Sequence, residues 1–152
     1  MKLCIPKPLK LEHEELHAEL VTATKASGRT GEAATAVAKV LHEHFVKEEE
    51  FALPPLGLLP ALARDEVDET AKSVLSMTDR LKSEMSEMLE EHKMVVAALK
   101  NLIAAAEAEK NPEHARFAEK LMLHAQTEEE VLYPAVILVG EYLKLRFKNR
   151  EA

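Results

Sequence analysis

Apolar side chains recur every three or four residues through most of the chain, which is the period of an amphipathic helix. Proline and glycine divide this pattern into four segments, 9–27, 32–53, 61–111 and 113–133. All four are rich in Ala, Leu, Glu, Lys and Met, the strong helix formers, and none has the β-branched alternation of a strand. The pattern predicts an all-α protein, and four such helices with short connections pack most simply as an up-down four-helix bundle.

Each segment has one inward-facing stripe, in which histidine and glutamate interrupt apolar residues. The stripes contain Leu9, His13, Leu16 and Leu20; Val37, Val40, His44, Glu48 and Phe51; Leu81, Met85, Met88, His92, Val95 and Leu99; and Phe117, Leu121, His124, Glu128 and Val131.

Segment 61–111 is long for one helix. We therefore predict a short additional helix near 65–76, between the second and third bundle helices, and a main helix that begins at Thr78 or Asp79. The apolar residues after Pro134 predict a C-terminal helical extension over about 135–152. Since no linker or low-complexity tract interrupts the chain, we expect a single domain over 1–152, with the bundle at about 9–134.

Composition excludes several classes of protein. The chain has 152 residues, of which 47% are hydrophobic, and a net charge of −7. It is too apolar for disorder, has no 18-residue apolar run that could span a membrane, and has no basic stripe for nucleic acid. A lone cysteine, Cys4, and the absence of an apolar leader near Met1 predict a reducing, cytoplasmic location.

The seven histidines are the unusual count, and four of them belong to an internal repeat. His44-x3-Glu48-Glu49-Glu50 recurs 80 residues later as His124-x3-Glu128-Glu129-Glu130, and Pro54 likewise recurs as Pro134. Glu12-His13 recurs 79 residues later as Glu91-His92. Each half of the chain is therefore a helix with one inward histidine, followed by a helix with His-x3-Glu.

This spacing predicts a metal centre. Residues i and i+4 lie about 40° apart on a helix, so His44 and Glu48 project together from the apolar stripe. Burying unpaired carboxylates costs several kcal/mol each, and no Lys or Arg occupies the stripes. A hydrogen-bonded polar core is the alternative, but the duplication in register favours metal ligands. The six predicted ligands are His13, His44, Glu48, His92, His124 and Glu128.

Six ligands on four helices suit two metal ions better than one, with the carboxylates free to bridge. Imidazole together with carboxylate suits iron, and Zn, Mn or Cu is less favoured.

These residues resemble the hemerythrin family, in particular its HHE cation-binding branch, over the four bundle helices. The matching motifs are Leu11-x-His13-x2-Leu16, His44-x3-Glu48-Glu49, Glu91-His92, and His124-x3-Glu128-Glu129 followed by Leu132-Tyr133-Pro134. The resemblance implies a non-haem di-iron centre with an oxo or hydroxo bridge. It also implies that Glu48 and Glu128 bridge the ions and that the four histidines are terminal ligands.

Two departures from the family pattern bear on function. Oxygen-carrying hemerythrins have His-x3-His on the third helix, where this chain has Val96, and His-x4-Asp on the fourth, where it has Glu128 and Glu129. One iron therefore lacks a histidine. This disfavours simple oxygen carriage and favours reaction with peroxide, oxygen or nitric oxide, or binding of an azide-like anion, at an open position.

Several alternatives stay open from the sequence. His17 could add a ligand or replace His13, although the repeat favours His13 and leaves His17 beside the ligands or lining a channel. Glu49 and Glu129 could contact ligand histidines, and Tyr133 could form a hydrogen bond near the metal. The centre could belong to an oxidoreductase, or to a module that senses or stores iron or oxygen without turnover. The C-terminal extension could cap the bundle or form a homodimer contact.

Overall fold

The computed structural model describes residues 3–151, and within them the chain forms helices and turns but no strand. The α-helices are α1 (Lys7–Thr24), α2 (Gly28–Lys47), α3 (Leu59–Ala63), α4 (Leu75–Ala108), α5 (Pro112–Thr127) and α6 (Tyr133–Glu151). Two π-helical turns, Glu48–Ala52 and Glu128–Leu132, follow α2 and α5, and two 3-10 helices, Pro54–Leu58 and Glu69–Val74, flank α3. The prediction of an all-α fold is confirmed.

Four helices, α1, α2, α4 and α5, surround one core. Helix α2 packs against α1 and α4, and α5 packs against α4 and α1, so each helix has two neighbours. The molecule is therefore a helical bundle, and helix α6 packs beside α4. No helix in the described part of the chain is both long and apolar enough to cross a membrane.

The segment between α2 and α4 differs from the prediction in position. The short helix α3 lies at Leu59–Ala63 rather than near 65–76, where residues 64–68 are not helical. The following 3-10 helix, Glu69–Val74, runs directly into α4, which begins at Leu75 instead of Thr78 or Asp79. Asp68 caps the 3-10 helix, because its carboxylate accepts a hydrogen bond from the Thr70 amide at 2.8 Å. Neither Thr78 nor Asp79 begins the helix, and Asp68 was not predicted as a cap.

The predicted C-terminal helical extension is present as α6, a helix of 19 residues that packs on the bundle. Helix α6 buries Val136, Val139, Leu143 and Phe147 against the 3-10 helices and α4. Gly140 lies close against α4, since a Cβ there would overlap the side chain of Thr78. This contact fixes α6, and with it Tyr133 at its first position.

We expect Gly140→Ala to lower the free energy of unfolding by about 1–3 kcal/mol, because the added Cβ overpacks the α4–α6 contact. This loss of stability should appear even though alanine stabilises a helix by about 1 kcal/mol relative to glycine. Urea denaturation followed by circular dichroism measures it. Leu138→Ala, on the exposed side of α6, is the control and should change stability by roughly 0.5 kcal/mol or less. Equal stability of Gly140→Ala and wild-type would contradict this packing.

Candidate metal centre

A layer of polar side chains crosses the bundle between two apolar layers. Along α4, Met88 belongs to the apolar cluster nearer α6, Val95 belongs to the other apolar cluster, and His92 lies between them. The same order holds on α2, where His44 follows Leu41 and precedes Phe51. All six residues of the layer are at least 95% buried: His13, His44, Glu48, His92, His124 and Glu128. The structure thus brings together all six predicted ligands.

The layer divides into two groups that share both glutamates. One group is His13, His124, Glu48 and Glu128, and the other is His44, His92 and the same two glutamates. Glu48 directs Oε1 to His44 Nε2 at 3.0 Å and Oε2 to His13 Nε2 at 3.8 Å. Each oxygen of Glu48 therefore belongs to a different group, which is the arrangement of a bridging carboxylate.

Glu128 divides its oxygens in the same way. Its Oε1 lies 3.4 Å from His92 Nε2, and its Oε2 lies 3.3 Å from His124 Nε2 and 3.7 Å from His13 Nε2. The donor atoms of each group all lie within 4.8 Å of one another. Ligands bound at about 2.0–2.2 Å to one ion lie roughly 3–3.5 Å apart, so a divalent ion fits each group.

Apart from these contacts with histidine, the carboxylates of this layer are poorly satisfied. Both oxygens of Glu48 and Oε2 of Glu128 are buried and accept no hydrogen bond from the residues that the structure describes. A buried carboxylate without partners costs several kcal/mol, so natural cores rarely contain one. Two such groups beside four imidazoles form a donor set that a cation would satisfy. The residues present therefore fit a pair of divalent metal ions.

Each histidine directs its other ring nitrogen to a carboxylate of a neighbouring helix. His44 Nδ1 lies 3.3 Å from Glu91 Oε1, and His92 Nδ1 lies 2.9 Å from Glu129 Oε1. His124 Nδ1 forms a hydrogen bond with Glu12, and Glu49 lies 3.9 Å from His13 Nδ1. Such outer carboxylates fix the ring so that Nε2 points at the metal and increase its basicity.

These outer contacts follow the internal repeat across the bundle. Glu12 of the first half contacts His124 of the second, and its repeat partner Glu91 contacts His44 of the first. The two halves are thus related by an approximate twofold exchange of α1 with α4 and of α2 with α5. Sequence analysis found the repeated Glu-His pair but assigned no role to Glu12 or Glu91; the repetition of that dipeptide was the available signal.

Burial and the carboxylates together set the protonation of the rings. Burial lowers the pKa of His92 and His124, and the nearby His44 lowers that of His92 further. Both rings therefore favour the neutral form, which is the form that binds metal. At His44, burial is outweighed by Glu48 and Glu91, so its pKa is raised. Protonation therefore competes with metal binding more strongly at His44 than at His92 or His124.

The π-helical turns explain how Tyr133 reaches the site. In a regular α-helix, residue i+5 lies about 140° around the axis from residue i. Here the Tyr133 amide donates to the Glu128 carbonyl, an i+5 bond that places both residues on the same side. The Tyr133 hydroxyl lies 3.2 Å from Nε2 of His44 and 3.2 Å from Nε2 of His92. Burial and Glu48 raise the pKa of this hydroxyl, which keeps it protonated.

The same turns correct one predicted core position. Val131, placed on the inward stripe by the α-helical period, is 57% exposed, because the π-helical turn shifts the inward position to Tyr133. The first turn forms the equivalent bond from the Leu53 amide to the Glu48 carbonyl at 2.8 Å. Each turn is followed by a proline, Pro54 or Pro134, which would kink a regular helix.

His17 lies outside both groups of donor atoms. Its side chain is exposed and lines a pocket between α1 and α2 that also contains His13. Of the two candidates on the first helix, His13 is therefore the one in the buried layer. Phe45, which sequence analysis did not select, stacks on the His13 ring with centroids 4.6 Å apart.

Comparison with known protein families, characterised proteins and solved structures finds no match to this chain.

We expect the metal-free double variant E48Q/E128Q to be more stable than metal-free wild-type by about 1–3 kcal/mol. Neutral amides remove two buried charges and can donate to neighbouring imidazoles. Urea denaturation in the presence of a chelator measures the difference. E50Q/E130Q, the same change at repeat-related exposed positions of the two turns, is the control and should have little effect. Lower stability of E48Q/E128Q would mean that imidazolium groups already satisfy the carboxylates.

Removal of an outer carboxylate should weaken the centre without removing a ligand. We expect Glu91→Ala to reduce zinc affinity about 10–100-fold, because His44 loses the acceptor at Nδ1. Titration against a competing chromophoric chelator measures the affinity. The control is Glu90→Ala, at an exposed neighbour that pairs only with Lys93 among the ion pairs of the described residues. Equal affinities of the two variants would refute this role of Glu91.

Proposed function

We propose that this protein is an up-down four-helix bundle of the hemerythrin-like class that holds two iron ions between its four histidines and two glutamates. The observation that carries the proposal is the pair of buried carboxylates, each with one oxygen in either group of imidazoles and three of the four oxygens without a hydrogen-bond donor. A structural polar core would instead satisfy its own carboxylates with protein donors.

The division of ligands supports two ions rather than one. Each group takes one histidine from each half of the chain: His13 with His124, and His92 with His44. Since the glutamates also come from both halves, neither half holds an ion by itself. Metal binding therefore ties the two halves together, and it should stabilise the whole bundle.

Iron suits this donor set because two imidazole nitrogens and two carboxylate oxygens leave positions open on an octahedral ion. When bound, the iron pair would supply redox chemistry toward peroxide, oxygen or nitric oxide, and would bind azide-like anions. The protein's own part is to exclude bulk water and to present one hydroxyl. Tyr133, fully buried and protonated, is placed to donate a hydrogen bond beside His44 and His92.

A sensing or storage module without turnover is the second candidate, and one observation favours it. Helix α6 begins directly after the π-helical turn that carries Glu128, and Tyr133 belongs to both the site and α6. A change in the metal centre would therefore reach α6 through one turn of backbone. An oxidoreductase and a sensor differ in turnover, which is measurable.

Metal analysis after reconstitution with ferrous iron under argon tests the centre. We expect about two irons per chain in wild-type and a large loss in His44→Ala and Glu128→Ala, because each removes a donor that no other residue replaces. His42→Ala and Glu130→Ala, at exposed positions on the same helical segments, are matched controls that should load fully. Full iron in both ligand variants would refute the assignment.

Two further measurements on the same samples, an azide spectrum and a peroxide assay, distinguish the oxidoreductase from the sensing or storage module. After exposure to air, azide should change the visible spectrum if open iron positions exist, and wild-type should decompose peroxide faster than free iron does. An azide response with no excess peroxide decomposition would favour the sensing or storage module. Absence of any azide response would contradict open coordination positions.

A further inference from the structure

The two halves of the bundle differ in how the metal layer meets solvent. A pocket of about 400 Å³ opens between α1 and α2, and its lining includes His13, His17, His42, Glu14 and Glu49. His13 is 97% buried and belongs to the metal layer, whereas His17, His42, Glu14 and Glu49 are exposed. The pocket thus connects a series of metal-binding side chains on the surface with one of the two donor groups.

Through the internal repeat, the face between α4 and α5 corresponds to the face between α1 and α2, so the residues of the two faces can be compared. There, Val96 takes the position of His17, Met122 that of His42 and Lys93 that of Glu14. The α4–α5 face therefore lacks three of the metal-binding side chains and has a cation in place of an acid. A divalent cation approaching that face would meet Glu129, the repeat partner of Glu49, but no surface histidine, and Lys93 there is paired with Glu90.

The inner end of the pocket is the less satisfied side of the layer. The oxygens that face His13, Oε2 of Glu48 and Oε2 of Glu128, both lack hydrogen-bond donors among the described residues. On the opposite side only one oxygen, Oε1 of Glu48, lacks a donor, and the Tyr133 hydroxyl contacts both His44 and His92. Leu53, the repeat partner of Tyr133, offers no such group on the first side.

We propose that the α1–α2 pocket is the route by which divalent metal ions reach and leave the centre, so that the His13–His124 position fills and exchanges before the His44–His92 position. The proposal rests on the metal centre proposed above and adds an order and a direction to it. The passing ligand is a cation rather than an anion, because Glu14 and Glu49 give the pocket negative charge and neutral histidines donate to metals. Glu49, 57% exposed and 3.9 Å from His13 Nδ1, links the surface to the buried layer.

Zinc, a redox-inert probe, tests this route without any activity assay. Release of two zinc ions to a chromophoric chelator should be biphasic, with one ion in each phase. Val46→Trp fills the mouth of the pocket from a half-exposed position and should slow the fast phase severalfold. Its matched control is Gln126→Trp, at the repeat-related exposed position on α5, which should leave the fast phase unchanged.

A second variant changes the chemistry of the pocket rather than its width. H17V/H42M gives the α1–α2 face the residues of the α4–α5 face, and it should slow both loading and the fast release phase while two zinc ions still bind. NMR of the histidine side-chain nitrogens identifies directly which of the two positions binds the first zinc ion. Soon after one equivalent of zinc is added, the resonances of His13 and His124 should shift before those of His44 and His92.

The outcomes separate this inference from the proposed function. Two bound zinc ions with a single release phase, equal effects of the two tryptophan variants, or earlier shifts at His44 and His92 would overturn the route and leave the metal centre intact. Failure of the wild-type protein to bind zinc or iron at all would overturn both.

Discussion

The fold depends on one costly arrangement, two carboxylates buried in the middle of an apolar bundle. Glu48 and Glu128 are almost fully enclosed, and three of their four oxygens accept no hydrogen bond from the described residues. Such groups persist only where something else compensates for their desolvation. Four imidazoles surround them, three of which form a hydrogen bond with an outer carboxylate, and the six side chains together form a donor set that fits metal ions.

The two halves of the chain are related by an approximate twofold exchange, and together they form one polar layer rather than two separate ones. Glu12 contacts His124 and Glu91 contacts His44, so each of these two rings is oriented by a residue from the other half of the chain. Each donor group likewise draws on both halves. The two halves are not identical: the Tyr133 hydroxyl lies on the side of His44 and His92, and the pocket between α1 and α2 reaches His13 on the other side.

Much of the fold and of the candidate site could be predicted from the amino-acid sequence. Helical period placed His13, His44, His92 and His124 inside, and the i,i+4 spacing placed Glu48 and Glu128 beside two of them. The period failed where the backbone left the α-helix. Val131 was predicted inside and is exposed, because an i+5 hydrogen bond rotates the chain after Glu128. The start of α4 was missed as well, because Asp68 begins a 3-10 helix that continues into it.

The sequence by itself determined the helices, the inward stripes and the inventory of six metal-binding side chains, because these follow from local period and from the cost of burying charge. Only the tertiary structure decided how the six divide. Which histidine shares a donor group with which, and which oxygen of each glutamate faces it, depend on the packing of separate helices around the core. The same packing decides that His17 stays at the surface and that Tyr133 enters the layer. Spacing along one helix contains no information about its neighbours.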